Sequence, residues 1–112
     1  MPRDPRTYLW DAIHAASLIG RFVDGLRFED YQASDLVRSA VERQFEIIGE
    51  ALNQLSRVDP ALATQINDVP RLVAFRNILI HEYAVVDDAV VWDAATRKLP
   101  QLRATLVALR KD

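Results

Sequence analysis

Cysteine is absent from this 112-residue chain, so disulfide frameworks, thiolate nucleophiles and cysteine-based zinc sites are excluded, and the cytoplasm is the simpler expected address. Basic residues are not in excess: 14 Lys and Arg stand against 16 Asp and Glu, for a net charge of -2. Without a global positive field, any nucleic-acid partner has to be held by a local patch. No apolar run approaches the roughly 20 residues of a membrane span, and the charges within "MPRDPRTYLWDA" leave no uninterrupted apolar segment for a signal peptide. Glycine-rich phosphate loops, a G-x-S-x-G elbow and a CxxC pair are also missing, which removes the enzyme classes built on them. With no internal repeat and no linker-like tract, residues 1–112 are expected to form one domain.

What remains is half apolar and 27% charged, the composition of a compact globular chain, and its apolar residues recur at helical spacing. Asp4 and Pro5 form a start signal for a helix carrying Leu9, Ala12, Ile13, Ala16, Ile19 and Val23, with Gly25 just past its end. After a turn region, "LRFEDYQAS", Val37, Val41, Phe45, Ile48, Leu52 and Leu55 alternate in steps of four and three, a stripe suited to bundle packing. Gly49 lies inside that helix at a cost of about 1 kcal/mol relative to Ala, so a close helix contact is expected there. "VDP" ends the helix, and "PALATQI" reads as a short helical turn.

Pro70 should open the next helix, with Leu72, Phe75, Ile78 and Leu79 facing the core. Asp87 or Asp88 can cap a last helix through Val91, Ala95, Leu99, Leu102, Leu106 and Leu109, interrupted at Pro100. No strand pattern of useful length occurs. The expected fold is all-α, an up-down bundle of four to five helices.

The helix after Pro70 contains "FRNILIHEY", Phe75 to Tyr83. With Arg76 at zero on a helical wheel, Asn77 falls at about 100° and His81 at about 140°, while the expected core group spans about 200° to 320°. Ile80 and Val73 fall at about 40° and 60°, among the polar residues. Two branched aliphatics on a polar face suit a surface pressed against another surface, most simply a second copy of the chain. Asn77 and His81 are one turn apart, within reach for the amide to orient the imidazole.

Other polar residues carry less. Glu42, Glu46 and Glu50 repeat every four residues, but a diiron bundle needs Glu-x-x-His motifs that are lacking here, so an exposed or cleft-lining acidic row is expected, with Arg43 beside it. His14 has no histidine partner at ligand spacing and should be a partly buried structural residue. Tyr8, Trp10, Phe22 and Trp92 are not clustered with basic residues and suit a core or interface better than a base-stacking platform.

"RNILIHEY" resembles the R-x-x-x-x-H-x-Y signature of HEPN-domain proteins, and "RN" followed by "HEY" resembles the HepT-like branch of small toxins. "AVERQFEIIGEAL", Ala40 to Leu52, and "VVWDAATRKLPQL" are similar to the family's second long helix and last helix, so the likeness covers essentially the whole chain. The resemblance implies a homodimer whose motif faces meet in a shared cleft, and metal-independent RNA endonuclease activity with no cofactor; Arg43, Glu46 and Glu50 are, from their place on the preceding long helix, the candidates to line such a cleft. It implies Arg76, Asn77 and His81 as the catalytic positions. It implies Tyr83 as the acceptor of AMP from a minimal nucleotidyltransferase antitoxin, within a type VII toxin-antitoxin module. The alternative is a non-catalytic helical partner of a nucleotidyltransferase. The chemistry asked of the site is a base for the 2′-OH, an acid for the leaving oxygen and a cation at phosphorus; a histidine and an arginine supply these groups.

Overall fold

A computed structural model describes residues 3–81 and 86–111, and all of its regular structure is helical. Helix α1 (Pro5–Val23) is followed by a short α2 (Phe28–Ala33), the long α3 (Asp35–Val58), a single turn α4 (Pro60–Ala63), α5 (Val69–His81), α6 (Asp88–Asp93), a π-helical turn (Ala94–Lys98) and α7 (Leu99–Lys111). No described helix is long and apolar enough to cross a membrane.

Side-chain oxygens set the starts of these helices. Asp4 accepts from the Arg6 amide at 2.9 Å, Ser34 from Val37 at 3.1 Å, Asp59 from Leu62 at 3.0 Å and Asp87 from Ala89 at 2.9 Å, each satisfying a donor that a helix start otherwise leaves orphaned. The cap at Asp87 and the helix start at Pro5 are those the sequence signals.

Packing builds outward from α3. Helix α1 lies along it on one side and α5 on another, while α7 covers α1. The core is the predicted stripe: Leu9, Ile19, Val41, Ile48, Leu52, Leu55 and Leu106 have no exposed surface, each worth about 1.5–3 kcal/mol in transfer energy.

Four expectations need correction or refinement. The "LRFEDYQAS" turn region contains a six-residue helix, α2, held at its start by the Arg27 amide donating to the Asp30 carboxylate at 2.9 Å. It buries Tyr31 completely, with Trp92 against that ring at 5.3 Å between centroids. The interruption at Pro100 takes the form of the π turn: the Leu99 amide bonds the Ala94 carbonyl, five residues back, just ahead of a proline with no N–H to give. His14 is exposed, stacked on an equally exposed Trp10 at 5.1 Å between ring centroids. The pair lies on the outer face of α1, away from the residues that α1 buries.

The fourth correction concerns α5. Ile78 was expected inside but is 38% exposed, while Arg76 and Val73 are half-buried beside the buried Leu79. The helix has one substantial neighbour, α3, so only a narrow arc can be covered. That arc is turned towards Arg76, because Gly49 of α3 leaves room there for the arginine stem.

Candidate active site

Gly49 is where the sequence pattern and the geometry meet. A Cβ built on Gly49 would lie 2.5 Å from Cβ, 3.0 Å from Cγ and 3.1 Å from Cδ of Arg76, and the first of these is closer than a methyl group can sit without something shifting. The expected close helix contact is therefore α3 against α5, and the group it admits is the aliphatic stem of Arg76. Next to it, Phe75 meets Phe45 edge-on at 5.3 Å between centroids, within the range favoured by aromatic quadrupoles. These two contacts set the rotation of α5.

The guanidinium of Arg76 then lies in a groove of about 580 Å³ shared by α1, α3 and α5. Its side chain is 19% exposed, and Nη1 stands 3.4 Å from Oε2 of Glu50. Nε is buried and has no acceptor among the described residues, although a buried unpaired donor ordinarily costs about 1–3 kcal/mol. Glu50 is half-exposed, and its Oε1 accepts from Gln54 Nε2 at 2.9 Å. Arg43 pairs with Glu46 at 3.4 Å on the same wall, and Arg3 pairs with Asp11 at 3.1 Å while sitting 5.0 Å over the Tyr8 ring. Arg43, Glu46 and Glu50 line the groove together with Arg76; Arg3, Tyr8 and Asp11 of the α1 end were not legible as site residues, since more than thirty positions separate each of them from Arg43.

Asn77 and His81 do not enter this groove. Both are exposed on the neighbouring arc of α5, and no hydrogen bond joins them in the single subunit. Reading round the helix, Ile80 at about 40°, Asn77 at about 100°, His81 at about 140° and Ile78 at about 200° form one exposed band, with the two isoleucines 40% and 38% exposed. Arg76 borders that band. Tyr83, the expected AMP acceptor, lies outside the described residues.

The larger cleft, about 790 Å³, lies on another side of α5, between it and α6 and α7, and is lined by Phe45, Leu72, Phe75, Val90, Leu99 and Leu102 among others. None of Arg76, Asn77 and His81 reaches it, so the chemistry-bearing residues belong to the smaller groove and the exposed band.

Glu42, at the other end of the acidic row, has a separate environment: burial first, then the charge of Asp88, holds its carboxyl above the usual range, with Arg38 partly opposing. Burial likewise pushes the Tyr31 phenol up, and its hydroxyl makes no hydrogen bond among the described residues.

A helical bundle in which Arg76, Asn77 and His81 stand on one thinly covered helix, at R-x-x-x-x-H spacing, is that of a HEPN-domain protein. The chain belongs to the ribonuclease HepT-like family, whose family model matches residues 12–109. It is 33% identical to a Thermococcus cleftensis protein named "Probable ribonuclease HepT", across 99% of this chain and all of that one. It is 28% identical to "Putative RNase MJ1380" of Methanocaldococcus jannaschii, across 90% of this chain and 92% of that one. No solved structure matches it.

Proposed function

We propose that the chain is a metal-independent RNA endonuclease that works as a homodimer. The observation that carries this reading is the exposed band of α5, where Asn77 and His81 stand between Ile80 and Ile78 beside a semi-buried Arg76. An isologous contact through that band would cover the isoleucines and bring two histidines into one cleft. The names of the relatives, ribonuclease and RNase, agree with it.

In the proposed reaction one His81 takes the 2′-OH proton, that oxygen attacks phosphorus, and the His81 of the second copy protonates the departing 5′ oxygen. Arg76 holds the scissile phosphate and offsets its growing charge. Asn77 acts as a positioning residue for the imidazole. His81→Ala should lower RNA cleavage by about 100-fold or more, with an unchanged melting temperature because His81 is exposed. Undiminished cleavage would sink the assignment and leave the chain a non-catalytic helical partner of a nucleotidyltransferase.

The proposal extends to a toxin role in a type VII toxin-antitoxin module, neutralised by a minimal nucleotidyltransferase that adds AMP to Tyr83. Its support is the motif order, with Tyr83 two residues beyond His81. Adenylylation would add bulk and negative charge close in sequence to the two cationic or titratable groups, by the same electrostatics as phosphorylation. A mass increase on Tyr83 after co-expression with such a transferase is the expected result; neutralisation of Tyr83→Phe by that route would contradict it.

A further inference from the structure

Each arginine of the α1, α3 and α5 groove is matched by its own carboxylate: Arg76 by Glu50, Arg43 by Glu46 and Arg3 by Asp11. Three positive and three negative side chains therefore line one groove, and its local charge cancels. A groove intended simply to attract phosphate would carry the arginines alone. The contacts at 3.4 Å are single, partly solvated ones, with Glu50 48% and Arg43 67% exposed, and such pairs contribute little to stability. They are easily exchanged. Arg76 meets Glu50 through Nη1 alone, so its terminal fork is only partly used.

We propose that the groove is a phosphodiester-binding site that operates by ion-pair exchange, in which a backbone phosphate takes Arg76 from Glu50 and Arg43 from Glu46. The inference rests on the reading of Arg76 as the phosphate-holding group and adds Arg43, Glu46 and Glu50 to the site. A phosphate can accept from the two terminal nitrogens of Arg76 together, a bidentate arrangement stronger than the single contact it replaces. Glu50 loses little on release, because Gln54 already donates to its second oxygen. Exchange also selects for length. A free monophosphate displaces one carboxylate and remains beside the other, whereas a strand displaces both in one binding event and gains the effective concentration of a linked ligand. The carboxylates thus act against small anions, by the logic of building a repulsive element against the wrong ligand.

The test measures binding of a fluorescent 2′-O-methyl RNA ten-mer, which lacks the attacking hydroxyl, to the full chain at low salt. Glu50→Gln should bind roughly fivefold tighter, the upper range expected for freeing an arginine from a partly exposed pair, and the gain should shrink as salt rises. In an Arg76→Ala background the gain should vanish. Unchanged or weaker binding by Glu50→Gln overturns the proposal, as does a gain that persists without Arg76, because that would be a general charge effect. Glu46→Gln, tested with and without Arg43→Ala, repeats the cycle at the second pair and decides the matter if Glu50→Gln does not fold. Cleavage by His81→Ala is a separate measurement: its persistence would refute the nuclease reading while leaving the binding cycle to stand or fall alone.

Discussion

Helices α3 and α5 touch along their length and serve opposite purposes. Helix α3 has neighbours on several sides and a divided surface, with Val41, Phe45, Ile48, Leu52 and Leu55 inside and an acidic row that runs from partly buried Glu42 to exposed Glu50. Helix α5 has one substantial neighbour, buries only Val69 and Leu79 fully, and exposes Ile78 and Ile80 beside Asn77 and His81. The apolar residues of α3 therefore report packing within the subunit. Those of α5 are spread around its circumference, more than one neighbour can cover, so Ile78 and Ile80 are left in solvent.

Equivalent truncations should separate the two helices most sharply. Leu52→Ala removes a side chain with no exposed surface and should destabilise the fold by about 2–5 kcal/mol, read as a lower midpoint in urea. Ile80→Ala should cost less than about 1 kcal/mol in the dilute subunit, since much of its surface is already in water. Its effect should appear instead in self-association, measured by sedimentation. If Ile80→Ala matched Leu52→Ala in destabilisation and left association untouched, the division of labour between the helices would be wrong.

A smaller effect is expected where the helices meet. Gly49→Ala improves intrinsic helix propensity by about 1 kcal/mol, yet places a methyl 2.5 Å from Arg76 Cβ. Overpacking at a backbone-proximal contact costs about 1–3 kcal/mol, so the net change should be a modest loss of stability with a clear loss of cleavage, as Arg76 is pushed out of register with the groove. Stabilisation by Gly49→Ala would show that α5 can slide without penalty.

The helices were legible because periodicity and caps are local: Asp4, Asp87 and the α3 stripe needed no knowledge of neighbours. Helix α2 escaped because six residues cannot display a 3.6-residue period, and Tyr31 in a polar-looking stretch gave no signal of complete burial. The rotation of α5 escaped for a different reason. Gly49 alone signalled a close helix contact, but its partner, the aliphatic stem of Arg76, is fixed only by the packing of α3 on α5. For the site, the order of Arg76, Asn77 and His81 is read directly along the chain, whereas the intrasubunit groove that Arg43, Glu46 and Glu50 share with Arg76 needed the packing of α3 on α5. The α1 side, with Arg3 and Asp11, is created by tertiary packing between distant segments.

The smallest effect contrasts the two ends of the acidic row on α3. Glu50 stands opposite an arginine, whereas Glu42 is held above the usual carboxylate range mainly by burial and then by Asp88. A raised carboxyl binds its proton more tightly in the folded chain than in the unfolded one. Between the ordinary value and the raised one the native state therefore carries more protons, and stability falls as pH rises through that window. At neutral pH the ionised carboxylate retains the full penalty. Glu42→Gln should then stabilise the protein by only a few tenths of a kcal/mol, given the partial exposure. That gain should disappear as the pH drops below the normal carboxylate range, where wild type and variant are both neutral at this position. Thermal melts across a series of pH values, from the acid side of the ordinary carboxylate range up to neutrality, make the measurement. A loss of stability in Glu42→Gln at neutral pH that faded towards acid would instead mean that Glu42 is held in place by Arg38 as a stabilising ion, and that both ends of the row are paired alike.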